Sequence, residues 1–226
     1  MNIDKLHQIW GITPAHIVND EFTGYESVYS QFDKFTKDTY DKDPAGTIDA
    51  VFDIYRGVGL VPIVYYTEQG VKDALKKFKH QSYHSVNNSR IGLGNNQGQV
   101  INRFMFPNMM TAEPKGRGTN SLRDRFRNDA KLKRAIRICF EFREGNNLVY
   151  PTALRRSLEL VTGENVQNFK AQNARAIVEH LCPVIFGNVY DYSMGYGGRL
   201  LGVTSSNMRY NYTGIDPNTE TIEGLT

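Results

Sequence analysis

Over the first two-thirds of the chain, apolar residues recur at steps of three and four, the period of a helix with one buried face. Tyr25, Val28, Tyr29, Phe32 and Phe35 predict a helix over 25–39, and "DKDPAG" (41–46) breaks it. Ile48, Val51, Phe52 and Tyr55 predict a second helix ending near Gly57 and Gly59, and Val71, Leu75 and Phe78 a third. Between them "LVPIVYY" (60–66) is a short apolar run that Pro62 restricts to an edge strand or an irregular segment. Residues 81–99 turn polar, with Asn and Gly crowded together, and predict a loop; "TAEPKGRGTN" (111–120) is another. Leu122, Phe126, Leu132, Ile136 and Phe140 predict further helices. One more opens near Pro151 and closes at Gly163, and the next carries Ala174, Ile177, Val178 and Leu181 up to Pro183.

The pattern then changes. "FGNVYDYS" (186–193) reads as a strand, "GYGGRLLGVTSS" (195–206) as a turn opening a helix, and "RYNYTGID" (209–216) as a second strand. "PNTETIEGL" starts a helix with Asn218 as its N-cap. The expected fold class is therefore α/β. A mainly helical region, 1–164, leads into the first β-α-β of an open sheet in 165–226.

Composition changes this picture little: 40% apolar and 23% charged residues are those of a globular protein. No apolar run approaches the roughly 18 residues of a membrane span, and the first residues lack the layout of a secretory signal, so a cytoplasmic address is expected. Cys139 and Cys182 are too far apart to suggest a disulfide framework or a thiolate zinc site. Charge matters locally. From Lys115 to Arg137, nine Lys or Arg face two Asp, a surplus of seven, while the whole chain carries only +3.

The candidate chemistry lies at the change of pattern. A glycine-rich turn after a strand allows the backbone to approach a ligand, and an acid ending the next strand can accept hydrogen bonds from a ribose diol. Gly195, Gly197 and Gly198 form such a turn, and Asp216 follows Asp191 by 25 residues. A dinucleotide fingerprint wants a third glycine where Leu200 stands, and Asp191 would repel a pyrophosphate. An acid there suits a cationic ligand instead. A nucleotide-binding oxidoreductase is thus the weaker alternative.

"DYSMGYGGRLLG" (191–202) with "YTGIDPN" (212–218) resembles motifs I and II of S-adenosylmethionine-dependent DNA methyltransferases, most of all phage-encoded ones. "NFKAQNARAIVEHLCP" (168–183) is similar to the helix before motif I in DNA amino-methyltransferases, often called motif X. The resemblance covers 165–226 and implies a Rossmann-like sheet, S-adenosylmethionine as cofactor, and methyl transfer to an exocyclic amine of adenine or cytosine. It implies that Phe169 contacts the cofactor, that Asp191, Ser193, Gly195, Gly197 and Gly198 surround its methionine part, and that Asp216 binds the ribose. Ser193 stands where many members have Phe.

In that family the target base is positioned by an (Asp/Asn/Ser)-Pro-Pro-aromatic turn. None occurs: neither Asp43-Pro44 nor Asp216-Pro217 is followed by a second Pro. Only ten residues follow Asp216, far too few for the remaining strands, which predicts the front of a longer protein or of a split gene, with a companion chain completing the sheet.

The basic block predicts contact with DNA phosphates through Lys115, Arg117, Arg123, Arg125, Arg127, Lys131, Lys133 and Arg134. A non-catalytic DNA-binding protein is accordingly the second reading. "GLGNNQG" (92–98) follows no strand and reads as a plain loop; His80 and His84 have metal-binding spacing but no third ligand.

Overall fold

The computed structural model describes residues 30–57, 62, 68–80, 86–87, 90–91, 98–114, 121–162, 166–182 and 184–224. In chain order come helices α1 (Lys37–Lys42), α2 (Pro44–Gly57) and α3 (Glu68–His80), then the two-residue strands β1 (Val86–Asn87) and β2 (Arg90–Ile91). Helix α4 (Gln99–Met105), a 3-10 turn (Pro107–Met110), and helices α5 (Leu122–Arg127), α6 (Asp129–Glu141), α7 (Pro151–Thr162) and α8 (Ala171–Leu181) follow. Strand β3 (Phe186–Asp191), helix α9 (Gly198–Thr204), strand β4 (Arg209–Gly214) and helix α10 (Thr219–Glu223) close the order. The described chain is mixed α/β, mostly helical, with a small two-stranded parallel sheet. It forms two compact units, one of Asn2–Tyr65 with Met110–Val166, the other of Tyr66–Met109 with Gln167–Thr226 and Met1.

In the helical unit, Thr36 and Thr39 exchange capping-box hydrogen bonds that start α1. Asp43 alone separates α1 from α2, where Pro44 takes the first helical position, the one at which its missing N–H costs nothing. The core gathers Val51 and Tyr55 of α2, Leu132, Ile136 and Phe140 of α6, and Leu154 and Leu158 of α7, all essentially inaccessible to solvent. Tyr40 stacks on Phe140 with ring centres 4.7 Å apart, and the Tyr55 hydroxyl donates to the Val149 carbonyl at 2.6 Å. Burying these aromatic and aliphatic side chains contributes on the order of 2 kcal/mol each.

Two expectations are corrected. The helix expected over 25–39 does not continue through 33–36: the chain turns there, with Phe35 N donating to Phe32 O, and a new helix starts at Thr36. Phe32 and Phe35 are both buried on either side of that turn, so the apolar spacing survived while the helix did not. Residues 25–29 lie outside the described residues, as do 60, 61 and 63–66 of the expected apolar run. Within the loop expected over 81–99, β1 and β2 pair antiparallel, Val86 opposite Ile91 and Asn87 opposite Arg90. Val86 and Ile91 are the β-branched residues of that stretch, and a two-residue ladder is too short to show as an alternating pattern.

In the second unit, α8 lies against α9 at a close crossing. A Cβ on Gly202 would stand 2.3 Å from the Ala171 carbonyl oxygen and 2.6 Å from the Ala174 methyl. Val71 and Phe78 of α3, Ile101 of α4, Ala171 and Leu201 form one apolar cluster. Arg175, buried on α8, donates to the Phe78 carbonyl at 3.0 Å and to Glu179 at 2.9 Å. Strands β3 and β4 run parallel from Phe186 opposite Arg209 to Asp191 opposite Gly214. Alternate residues are half-buried, Val189 and Tyr212 among them. The others are exposed, and there Asn211 donates to Asn188 at 3.1 Å and the Arg209 guanidinium lies 5.8 Å over the Phe186 ring.

Candidate functional site

A parallel pair needs a crossover, and in a β-α-β unit the turn leaving the first strand faces the end of the second. Here the crossover is the glycine turn and α9. The ladder runs on beyond both strands: Ile215 N donates to Asp191 O at 2.8 Å, and Met194 N to Ile215 O at 2.9 Å. These bonds bring Asp216 to the turn. Its Oδ2 accepts from Gly195 N at 2.8 Å and its Oδ1 from Asn218 N at 2.9 Å. Asn218 in turn caps α10 through Glu220 N, so one carboxylate ties the glycine turn to the entry of that helix.

Gly195 (φ 57°) and Gly197 (φ 68°) hold left-handed backbone that residues with a Cβ adopt at a cost. Beside Gly195 the space is open: the nearest atom to an added Cβ is the Ser193 carbonyl oxygen at 4.0 Å. Gly198 is different. A Cβ there would fall 1.9 Å from the Phe169 carbonyl oxygen, so this glycine serves the packing of 168–169 against the turn. Asn168 and Asn102 both donate to the Tyr196 carbonyl, at 2.8 and 3.2 Å, and hold the turn from two sides. The Phe169 ring is half-exposed, with the Arg199 guanidinium 5.5 Å from its centre.

Asp191 is internally paired. Its Oδ2 accepts from Arg199 Nε and from the Tyr212 hydroxyl, each at 2.6 Å, and its Oδ1 from Ser193 N at 3.2 Å. Arg199 also donates to the Ser193 carbonyl. Burial pushes the Asp191 carboxyl up. The hydrogen bonds from Tyr212, Arg199 and the Ser193 amide, with the Arg199 charge, outweigh it and hold the group below the usual carboxylate range. Tyr212 is displaced upward by burial and by its bond to that carboxylate. Burial, then the charges of Asp216 and Glu220, also raise Tyr196.

The structure thus brings Phe169, Asp191, Ser193, Gly195, Gly197, Gly198 and Asp216 into one neighbourhood. Asp191 does not stand alone there: Arg199 already bonds its carboxylate at 2.6 Å. Arg199 and Tyr212 are the members that sequence reading missed. Arg199 stood within the quoted motif, but only its return to the strand-end acid marks it.

The basic block is not one surface. Lys115 and Arg117 lie outside the described residues. Arg125 is a correction: it is 1% exposed, and its guanidinium donates to the Leu158 carbonyl at 3.2 Å inside the helical unit, so it offers no charge to a phosphate. Arg123 is half-buried and lies 3.6 Å from Asp124. Lys133 pairs with Asp49 at 2.6 Å, and Lys131 is half-buried. Arg127 and Arg134 are exposed.

Among the described residues no group of three His, Cys, Asp or Glu could hold a metal ion, and no helix is long and apolar enough to cross a membrane. His80 ends α3, and His84 lies outside the described residues. Comparison of the chain with family models, curated proteins and solved structures returned no match.

Proposed function

We propose that the β3–α9–β4 unit binds S-adenosylmethionine, as in a DNA methyltransferase acting on an exocyclic amine of adenine or cytosine. The reading is supported chiefly by one observation: Asp191 and Asp216 lie at the ends of adjacent parallel strands and both bond into the glycine turn between them. The residues present fit the cofactor's chemistry. Asp216 accepts one hydrogen bond on each oxygen from the described residues, and a carboxylate has about four acceptor sites, so it keeps capacity for a ribose diol. Gly195 leaves room beside the turn, and the half-exposed Phe169 offers an apolar face for the adenine. The amino-acid end of S-adenosylmethionine is a zwitterion, and Asp191 with Arg199 presents one negative and one positive group to match it.

When bound, the cofactor would supply an electrophilic methyl group for in-line displacement by the amine. This chain's residues would orient it, with Asp216 fixing the ribose and the Asp191–Arg199 pair the amino-acid end. No residue is assigned to hold the target base, since the sequence lacks a Pro-Pro-aromatic turn. The exposed cations of α5 and α6 favour DNA as the macromolecular partner in this reading, and equally in the second, a DNA-binding protein without catalysis.

Calorimetric titration with S-adenosylmethionine, adenosine and NADH tests the reading. Asp216→Ala is expected to weaken S-adenosylmethionine and adenosine at least tenfold, and Arg199→Ala to weaken S-adenosylmethionine while sparing adenosine. Binding of NADH alone, or unchanged affinity in Asp216→Ala, would remove it.

A further inference from the structure

The exposed edge of α6 carries a second candidate site. Arg134, Arg137 and Glu141 recur at three- and four-residue steps along it, and with Lys133, Phe142 and Leu160 they line an open groove of about 660 Å³ within the helical unit. The charges do not cancel. Lys133 is matched by Asp49 at 2.6 Å, while Glu141, which accepts from the Tyr40 hydroxyl at 3.3 Å, keeps its one negative charge against the two arginines. Arg134 and Arg137 are exposed and form no salt bridge with an acid among the described residues. The groove therefore carries surplus positive charge on two planar guanidinium groups, the side chain best shaped to grip phosphate oxygens two at a time.

Its other feature is apolar. Phe142, at the C-cap of α6, is 75% exposed, and Leu160 of α7 is 55% exposed. A bare aromatic ring at the rim of a cationic groove is an unsatisfied stacking platform: nucleobases have π-faces, whereas an acidic peptide would use the charge and leave the ring in water. In a duplex the bases are already stacked on one another, so only an unpaired strand can present a base to the ring.

We infer that this groove binds single-stranded nucleic acid, with backbone phosphates on Arg134 and Arg137 and a base stacked on Phe142. The inference sharpens the DNA reading given above but needs no cofactor, and its residues are remote in sequence from the glycine turn.

The test is fluorescence anisotropy of a labelled oligothymidylate with the full chain at several salt concentrations and no cofactor. The double variant Arg134→Ala/Arg137→Ala is expected to bind at least tenfold more weakly. Losing two phosphate contacts should flatten the slope of log affinity against log salt by about 1.4. Phe142→Ala is expected to weaken binding by about five- to a hundredfold with the salt slope unchanged, the signature of lost stacking. All three side chains are exposed, and an unchanged circular dichroism melting curve shows that the fold is kept. Unaltered affinity in either variant would overturn the site. So would duplex DNA binding as tightly as the single strand with Phe142→Ala silent, or poly-glutamate displacing the oligonucleotide at equal charge. Failure of S-adenosylmethionine to bind would leave this proposal untouched.

Discussion

Arg199 Nε lies 2.6 Å from Asp191 Oδ2, an ion pair that folds the first turn of α9 back onto the end of β3. A cation and an anion eight residues apart in the chain thereby become one dipolar group at the mouth of the glycine turn. Together with Tyr212, this pair decides what Asp191 can do: it is a held, ionised acid, not a proton donor or an unpaired base.

Arg199→Ala should therefore lower stability by about 1 kcal/mol at pH 7, since the arginine is about one-third exposed and solvent weakens the pair. The Asp191 carboxyl lies below its ordinary value, so its contribution is present above pH ~4 and is lost as pH falls through the folded value. Urea unfolding at pH 7 and at pH 3 checks this. The gap between wild type and variant should narrow in acid, and an equal gap at both would mean that another carboxylate carries the pair.

The glycines of the turn should respond unequally. Gly195→Ala meets open space and is expected to cost about 1–2 kcal/mol, from left-handed backbone alone. Gly198→Ala drives a methyl into the Phe169 carbonyl and is expected to cost about 3 kcal/mol or more, because backbone must move. Thermal unfolding of the two variants gives the comparison; a milder effect at Gly198 would contradict the packing.

Cys139 is buried, and burial pushes its thiol up to about 11, although a hydrogen bond with Ser157 at 3.1 Å pulls the other way. In native protein at pH 8, a thiol reagent should titrate exposed Cys182 quickly and reach Cys139 only on unfolding. Above pH ~9 the unfolded chain ionises this thiol while the folded chain does not, so stability should fall with rising pH by up to about 1.4 kcal/mol per unit until pH reaches about 11. Cys139→Ala should lack that slope; the same slope in the variant would assign it to another group.

Arg125→Ala should behave as a core mutation. Removing a buried side chain and leaving the Leu158 carbonyl without this donor is expected to cost about 2–4 kcal/mol in denaturant unfolding. Phosphate binding by the folded variant should be unchanged, in contrast to Arg134 and Arg137. A loss of DNA affinity with normal stability would return Arg125 to the surface.

The strands and helix of the β-α-β unit could be read from sequence because their signals are local. Alternation marks β4, glycines mark the turn, and Asn218 marks the start of α10. The helical faces were legible for the same reason. What escaped depends on residues distant in the chain. Nothing near Arg125 announces that it turns inward, because Arg123, Asp124 and Arg127 around it are charged and its acceptor is 33 residues away on α7. Asp191 was found but its partners were not, since Tyr212 reaches it only through the parallel register. The break at Thr36 kept the apolar period on both sides, and period was the signal being read. Nothing local marks Phe142 as the residue at which α6 ends with its ring in solvent.

The order in which the units use the chain bears on how the protein is made. Each unit joins two stretches separated by the other's residues. As synthesis proceeds from the N-terminus, Val51 and Tyr55 emerge long before Leu132, Ile136 and Leu154, which share their core. For some eighty residues of translation Tyr55 has the ring of Phe32, 5.0 Å away in the fold, but the α2 face waits for its α6 partners.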